Sequence, residues 1–408
     1  MKFAFIFLFF VIGLISSVPL KNNQRNPVLM ISLDGFRADK LDKFLRENPE
    51  SNLKKEFVDV GVKADHMEPS FPTLTFPNHY TLVTGLYMEN HDVTSNTVYD
   101  SVYDQKLNFL RDTEKNNFKW WNKTEPIWFE AKKQGLKTAS FFWAGSEVWQ
   151  RHPDFFLKYD ESKEWESRCD QIVSWFTKFD IDFGTLYFDE PDHAGHSYGP
   201  DSEQYYEAIY KLDETIGYLM KKLRQANMEQ KMNVLIVSDH GMAQMNSTLI
   251  VSKYVSTNLI NATKTVYGIV SNIWPKTDAA KVQIYDALKK VKELKVYYKE
   301  EIPENFHYQN SNRIAPIVAI ADEGYVMNTV NQTLIGNHGF DNRIESMRAI
   351  FLARGPNFKS NVGITGLKNV DVYPLLCELI QIQCHPNNGS LVPYKDALHD
   401  MPRHKKLF

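Results

Sequence analysis

The chain has 408 residues, a formal net charge of −3 and 24% charged residues, which is ordinary for a globular protein. The near-neutral charge excludes a protein that coats nucleic acid, because no basic excess is present to neutralise phosphates. The 26 Phe, 20 Tyr and 8 Trp residues exclude a disordered low-complexity chain and can supply a large hydrophobic core.

The first eighteen residues have the layout of a secretory signal peptide. A positively charged start is followed by an apolar run from Phe3 to Ile15 and by the small residues Ser16 and Ser17. A signal anchor is the alternative, but this run is shorter than the roughly 20 residues that span a bilayer. We therefore predict a signal peptide at residues 1–18 and an exported, secreted chain at residues 19–408 without a stable membrane anchor.

Short apolar runs alternate with segments of helical periodicity along the mature chain. Continuous apolar runs are typical of buried strands in a parallel sheet. They lie at residues 28–33, 138–143, 185–188, 234–237 and 349–352. Helices are predicted to begin near Pro77, Pro126 and Ser202 and to cover residues 281–294 and 370–382. This alternation predicts a single α/β domain with a doubly wound, mostly parallel sheet and helices on both faces.

Export makes the Asn-x-Ser/Thr sequences and the cysteines informative. Cys377 and Cys384 enclose a short loop and are predicted to form a disulfide in an oxidising compartment. For Cys169, a buried free thiol is favoured over an intermolecular disulfide. We expect the protein to be a monomer. Candidate glycosylation sites are Asn122, Asn246, Asn261, Asn331 and Asn388.

Three of the predicted strands end in an aspartate: Asp34, Asp189 and Asp239. Ligands of open parallel sheets bind outside the carboxyl ends of the strands. One acid there could be a helix cap or part of an ion pair. Three acids at one edge would repel one another unless cations lie between them, so the pattern indicates a metal site.

Three histidines lie near these acids or in a separate polar motif: His193, His240 and His338. Each alone would more often be an ordinary structural residue. Mixtures of Asp and His without Cys suit zinc, which accepts carboxylate oxygen and imidazole nitrogen. Six such ligands are too many for one open catalytic zinc and are the number that two zinc ions require.

Thr75 is placed just before the helix that Pro77 is predicted to begin. An ordinary helix cap is the commoner meaning of such a threonine. A helix N-terminus also favours an anion such as phosphate, because backbone N–H groups and the helix dipole point toward it. Beside a zinc ion, the Thr75 hydroxyl could lose its proton and become a nucleophile.

Five motifs resemble, in order, those of the nucleotide pyrophosphatase/phosphodiesterase family of the alkaline phosphatase superfamily. They are LDGFR at 33–37, PTLTFPNHY at 72–80, DEPDHAGH at 189–196, SDHGM at 238–242 and NHGFDN at 337–342. The resemblance covers roughly residues 27–390 and implies an alkaline-phosphatase-like fold with one catalytic domain at residues 19–408. It also implies two Zn²⁺ ions, one held by Asp34, Thr75, Asp239 and His240, and the other by Asp189, His193 and His338.

The resemblance further implies a phosphodiesterase that acts through a phospho-threonine intermediate on Thr75. Asn96 would hydrogen-bond the phosphoryl oxygen, and Phe76 and Tyr159 would clamp a nucleotide base. The expected substrates are extracellular nucleotides: ATP, cleaved to AMP and pyrophosphate, dinucleotides and nucleotide diesters. Both aromatic residues could instead belong to the core, and a choline or lysophospholipid phosphodiesterase of the same family is the first alternative.

Two other classes of protein remain as alternatives. One is a phosphomonoesterase or sulfatase of the same superfamily, although the sulfatase motif Cys/Ser-x-Pro-x-Arg is absent around Thr75. The other is a secreted binding protein without catalytic activity. The presence of all six Asp and His candidates together with the threonine favours an enzyme over such a binding protein.

Overall fold

A computed structural model of the protein describes residues 25–400, so the predicted signal peptide at residues 1–18 lies outside the described residues. The strands are β1 (Val28–Leu33), β2 (Val62–Ala64), β3 (Met67–Glu68), β4 (Thr97–Asp100), β5 (Gln105–Asn108), β6 (Thr138–Phe141), β7 (Phe155–Leu157), β8 (Phe183–Phe188), β9 (Asn233–Val237), β10 (Ala243–Gln244), β11 (Ser247–Ile250), β12 (Val270–Ile273), β13 (Leu294–Tyr298), β14 (Ile317–Ala321), β15 (Tyr325–Asn328), β16 (Gly336–Asn337), β17 (Phe351–Arg354), β18 (Val362–Ile364) and β19 (Leu367–Lys368). The α-helices are α1 (Ala38–Glu47), α2 (Thr75–Thr84), α3 (Met88–His91), α4 (Ile127–Lys133), α5 (Trp165–Phe179), α6 (Asp192–Tyr198), α7 (Glu203–Gln225), α8 (Asp278–Leu288) and α9 (Val372–Ile380).

The central sheet has eight strands in the order β18-β2-β17-β9-β1-β8-β6-β7. All neighbours pair in parallel except β17, which runs antiparallel to both β9 and β2. The predicted doubly wound, mostly parallel α/β fold is therefore confirmed. The prediction of a parallel strand at residues 349–352 is wrong, since the strand there is antiparallel β17. The chain leaves β9 and returns to β17 at the same edge of the sheet, so β17 must run back along β9.

Both faces of the sheet are covered by helices. In β1, Val28 and Met30 pack in one hydrophobic cluster, whereas Leu29, Ile31 and Leu33 pack in another. The first cluster includes residues of α2, α4 and α9, and the second includes residues of α1, α5 and α7. Each fully buried apolar side chain contributes roughly 1.5–3 kcal/mol, so β1 is firmly held and the residue that follows it is fixed in position.

The helix boundaries follow local capping and burial. The Ser202 side chain accepts a hydrogen bond from the Tyr205 N–H at the start of α7, as expected for an N-cap. Helix α8 ends at Leu288, and Leu294 already begins β13, so the predicted helix over 281–294 is too long at its C-terminal end. The reason is a change of period: in β13, buried Leu294 and Val296 alternate with exposed Lys295.

The excursion between β9 and β17 contains a second sheet, the antiparallel β12-β14-β13. At the end of the excursion, β16 pairs with β10, with Ala243 opposite Asn337. Because β10 closely follows β9, this short ladder brings His338 back to the carboxyl edge of the central sheet. A residue that is distant in sequence thereby joins the strand-end acids.

The structure contains the predicted disulfide between Cys377 and Cys384, while Cys169 is buried and unpaired.

Four of the candidate glycosylation asparagines are exposed, and Asn261 is half-buried. Within residues 25–400, no helix is both long enough and apolar enough to cross a membrane. The exposed asparagines are Asn122, Asn246, Asn331 and Asn388.

Candidate metal centre and nucleophile

Asp34 and Asp239 meet at the carboxyl edge of the sheet. Asp34 directly follows β1, and Asp239 lies two residues beyond β9, the parallel neighbour of β1. The Gly35 N–H donates to Asp239 Oδ1 at 3.2 Å, which ties the two strand ends together. Both carboxylates are almost fully buried, with Asp34 1% exposed and Asp239 0% exposed.

Helix α6 supplies a third acid to the same place. Its first residue, Asp192, donates its backbone N–H to the Asp34 carbonyl oxygen at 3.1 Å. Gly35 permits this approach, because it has a positive φ of 67° and a Cβ there would lie 2.9 Å from Asp192 Cβ. One turn along α6, His196 Nε2 lies 3.4 Å from Asp192 Oδ2. The first turn of α6 therefore presents a carboxylate and an imidazole side by side.

Three histidines share one orientation that suits a metal ligand. Each donates from Nδ1 to a backbone carbonyl oxygen, which leaves Nε2 free to face the cluster of acids. Such anchoring fixes both the ring and its tautomer and is characteristic of metal-binding histidine. The bonds run from His196 to Gly336 (2.9 Å), from His240 to Gly241 (2.8 Å) and from His338 to Thr73 (2.8 Å).

The acids and histidines form one continuous cluster. Within residues 25–400, three groups of side chains place their ligand atoms within 4.8 Å of one another, and Asp34 and Asp192 each belong to two of these groups. The arrangement thus offers room for more than one cation. The groups are Asp192, His196 and His338; Asp34, Asp192 and His240; and Asp34, His79 and Asp239.

Unpaired oxygen atoms show that this cluster fits a cation. Asp34 Oδ1, Asp192 Oδ1 and Asp239 Oδ2 are buried and make no hydrogen bond of good geometry within residues 25–400, although His240 Nε2 lies 3.0 Å from Asp239 Oδ2. A buried acceptor without a donor is destabilising unless a cation satisfies it. Burial and the neighbouring Asp239 raise the pKa of Asp34 well above its usual value, so the protein alone does not stabilise every carboxylate of the cluster as an anion.

One of these histidines is already in the neutral state that metal binding needs, whereas a neighbouring acid favours the protonated form of another. Burial and the nearby His240 lower the pKa of His338 to about 3, so its imidazole is neutral at physiological pH. Burial disfavours the charged form of His240, but the adjacent Asp239 outweighs this effect and raises the pKa of His240. The charge of a bound cation would replace the proton that Asp239 otherwise favours on His240.

The structure favours two other residues for the second ligand set. Asp189 and His193 do not join any of the three close groups, whereas Asp192 and His196 lie with His338. The His193 side chain is 54% exposed, and its Nδ1 lies 3.5 Å from Asp189 Oδ2. The physical reason is that Asp189 precedes α6, so the first residue of the helix, Asp192, is the acid that reaches Asp34.

Thr75 lies beside this cluster as the first residue of α2. Its Oγ1 is 3.3 Å from His240 Nε2, and Leu74, the residue before it, is extended and makes no side-chain cap. The predicted position just before the helix is therefore shifted by one residue, and no capping hydrogen bond of Thr75 is present. A hydroxyl that faces a candidate metal ligand is placed to act as a nucleophile.

Asn96 holds the backbone next to Thr75. Its side-chain oxygen accepts a hydrogen bond from the Phe76 N–H at 2.9 Å, and the Phe109 N–H donates to its backbone carbonyl at 2.9 Å. With the oxygen so engaged, the amide nitrogen is the atom of this half-buried side chain that can donate to a ligand.

A cavity of about 450 Å³ opens from the cluster. Its lining includes Thr75 and Asp34 together with the aromatic residues Phe76 and Tyr159. The structure therefore brings both predicted aromatic residues to the cavity that contains the threonine. Tyr159 is 42% exposed, which is inconsistent with a core position.

His79 and Tyr187 also contact the cluster, and the sequence argument missed both. His79 Nδ1 lies 2.9 Å from the Thr75 carbonyl oxygen, and its Nε2 lies 2.8 Å from Ser32 Oγ, so both ring nitrogens already have protein partners. The Tyr187 hydroxyl donates to Asp34 Oδ2 at 2.6 Å. His79 lies one helical turn after Thr75, a spacing that could have identified it from the sequence.

A doubly wound sheet whose carboxyl edge joins a helix-borne threonine to buried Asp and His side chains defines a hydrolase of the alkaline-phosphatase-like fold. Residues 28–341 match the family described as type I phosphodiesterase / nucleotide pyrophosphatase, and the chain belongs to this family. It is a hydrolase that acts on phosphodiester and phosphoric anhydride bonds.

Relatives extend over nearly the whole chain. Bis(5′-adenosyl)-triphosphatase of Xenopus laevis is 38% identical over 91% of this chain and 81% of its own length. Human ectonucleotide pyrophosphatase/phosphodiesterase family member 5 is 36% identical over 97% of this chain and 83% of its own length. The mouse family member 5, solved as an inactive threonine-to-alanine variant in complex with AMP, has a TM-score of 0.86 and 36% identity, covering 92% of this chain and 100% of that one.

Proposed function

We propose that the protein is a secreted two-zinc phosphodiesterase and pyrophosphatase that hydrolyses extracellular nucleotides through a phospho-threonine intermediate. One observation carries the proposal: the Thr75 hydroxyl lies 3.3 Å from His240 Nε2, between the buried acids and an aromatic-walled cavity. The mouse relative that binds AMP as an inactive threonine-to-alanine variant supports the same view.

Two ligand sets of this chain fit Zn²⁺, which accepts carboxylate oxygen and imidazole nitrogen. Bound there, zinc would lower the pKa of a hydroxyl and supply positive charge to phosphoryl oxygens. Thr75 belongs to the first set, as the sequence argument proposes. The first set is Asp34, Thr75, Asp239 and His240, and the second is Asp192, His196 and His338.

The residues of the chain perform the remaining parts of the reaction. Thr75 Oγ1 attacks phosphorus in line, and its bond to phosphorus forms as the bond to the leaving oxygen breaks. Asn96 donates from its amide nitrogen to a phosphoryl oxygen and stabilises the charge that develops there. Water then cleaves the phospho-threonine ester. Two in-line displacements leave the configuration at phosphorus unchanged.

The cavity wall favours a nucleotide over a lysophospholipid. Phe76 and Tyr159 can hold a flat base, and such stacking contributes roughly 1–3 kcal/mol per base. Glu147, Glu161 and Asn116 also line the cavity, and their polar groups suit a base and a sugar better than an acyl chain. The relatives named as bis(5′-adenosyl)-triphosphatases support dinucleotides as one substrate class.

We also propose that the exported chain carries glycans on its exposed asparagines and has one catalytic domain at residues 19–408. Asn122, Asn246, Asn331 and Asn388 are accessible to glycosylation. The disulfide between Cys377 and Cys384 agrees with folding in an oxidising compartment. Treatment of the secreted protein with an endoglycosidase should lower its mass if these sites are used.

Replacing the stacking residue should affect nucleotides more than small diesters. In Phe76→Ala, we expect the KM for ATP to rise about 5- to 160-fold, the equivalent of one stacked base, with a much smaller rise for bis(p-nitrophenyl) phosphate. Steady-state kinetics on both substrates would measure this, with Trp149→Ala, an exposed aromatic outside the cavity, as the control. Equal losses on both substrates would show that Phe76 supports the nucleophile and not the base.

The products of ATP hydrolysis test the class of reaction. Attack at the α-phosphorus predicts AMP and pyrophosphate, because the base-binding wall adjoins the threonine and holds the nucleoside end there. Chromatography of the products at early times would distinguish the outcomes. ADP and inorganic phosphate would instead identify an enzyme that removes terminal phosphates, and the proposed substrate position would then be wrong.

A further inference from the structure

Asp189 and His193 form a pair at the wall of the cavity, outside the proposed metal ligands. His193 Nδ1 lies 3.5 Å from Asp189 Oδ2, and the two residues are separated by one helical turn. The His193 side chain is 54% exposed and lines the cavity. Because Nδ1 faces Asp189, Nε2 is the ring nitrogen left for a bound molecule.

Arg168 supports this pair from the protein interior. Its side chain is 1% exposed, and its Nη1 lies 3.5 Å from Asp189 Oδ1. Asp189 is itself 8% exposed. A guanidinium fixed on backbone carbonyls is a rigid support for Asp189, and Asp189 in turn gives His193 a charged neighbour on its Nδ1 side. The carbonyl oxygens that accept from Arg168 belong to Glu161, Lys163 and Tyr187.

His193 lines the same cavity as Tyr187 and Tyr159. His193 follows Asp192, which belongs to the proposed metal centre. On the same wall, the Tyr187 hydroxyl donates to Asp34, and the Tyr187 ring lies 6.1 Å from the Tyr159 ring. The wall therefore runs from the metal centre to the aromatic residue proposed to stack on the base.

In a nucleotide, the sugar joins the phosphate to the base and therefore lies in the cavity that Thr75, Tyr159 and His193 line. We infer that His193, placed beside Asp189 and Arg168, binds one ribose hydroxyl and gives the enzyme a preference for nucleotides that carry that hydroxyl over those that lack it. The inference rests on the proposed function. With Nδ1 on the Asp189 side, Nε2 accepts a hydrogen bond from the 2′- or the 3′-hydroxyl, and a sugar that lacks that hydroxyl leaves this acceptor unpaired.

Three substrates that differ in one hydroxyl test the inference. They are the 5′-p-nitrophenyl esters of AMP, 2′-deoxy-AMP and 3′-deoxy-AMP, which share a base and a leaving group. For the wild-type enzyme, we expect kcat/KM for the AMP ester to exceed that of one deoxy ester about three- to tenfold, as one neutral hydrogen bond allows. In His193→Ala, the ratio should fall to about one, whereas His193→Gln should retain part of it because its amide oxygen can accept the same bond.

A matched control uses a second histidine beside an acid. His66 Nδ1 lies 3.4 Å from Asp65 Oδ2, but His66 does not line the cavity, so His66→Ala should keep the wild-type ratio. Equal kcat/KM values for all three esters in the wild-type enzyme, or an unchanged ratio in His193→Ala, would overturn the inference and leave the proposed function standing. Failure of the zinc-loaded wild-type enzyme on all three esters would overturn the proposed function itself, and the inference with it.

Discussion

Thr75→Ala should reduce diester turnover by at least about 10³-fold while the protein remains folded, because the variant lacks the oxygen that attacks phosphorus. The loss of stability should be less than about 2 kcal/mol, since Thr75 is a half-buried residue without a capping hydrogen bond. Turnover of the p-nitrophenyl ester of TMP and thermal unfolding of the same sample would measure both quantities.

Thr75→Ser is the matched control for this experiment. It keeps the nucleophilic oxygen and loses one methyl group, so it should retain measurable turnover with a less restricted side-chain rotamer. A purely structural role predicts the reverse: Thr75→Ala would melt slightly earlier and keep its rate per folded molecule. Near-wild-type turnover by folded, zinc-loaded Thr75→Ala would exclude the covalent mechanism.

The architecture was accessible from the sequence because strand burial and strand ends leave local signals. The apolar run of β1 predicts a strand covered on both faces, and the acid after it predicts a group at the carboxyl edge. The same argument placed Asp239 correctly beside Asp34, since β9 and β1 are parallel neighbours. The antiparallel direction of β17 could not be predicted in this way, because an apolar run does not reveal the direction of a strand.

The second ligand set shows where local spacing is insufficient. Asp189 and His193 have the same i, i+4 spacing as Asp192 and His196, so spacing alone cannot choose between the pairs. The choice depends on a tertiary contact, the hydrogen bond from the Asp192 N–H to the Asp34 carbonyl oxygen, which fixes the start of α6. The place of His79 beside the cluster likewise depends on tertiary contacts, including that with Ser32, which the sequence does not specify.

Removal of metal should abolish hydrolysis, and zinc should restore it. The buried carboxylates of Asp34, Asp192 and Asp239 each leave an oxygen without a hydrogen bond of good geometry among residues 25–400, so the chelated protein should also unfold at a lower temperature. Dialysis against a chelator followed by metal analysis, thermal unfolding and assay before and after zinc addition would measure these effects. Fewer than one zinc per active chain would contradict the two-zinc proposal.

Alanine variants at two histidines of α6 test which residues form the second zinc site. In His196→Ala, the zinc affinity of one site should fall by more than about 100-fold, since even loss of a residue that only supports a ligand reduces metal affinity 10- to 100-fold. His193→Ala, three positions earlier in α6, should still bind two zinc ions, because His193 faces Asp189 and the cavity. Zinc content after gel filtration, together with competition against a chromophoric chelator, compares the two variants without reference to activity. Loss of zinc in His193→Ala with retention in His196→Ala would restore Asp189 and His193 as ligands and would exclude the assignment made from the structure.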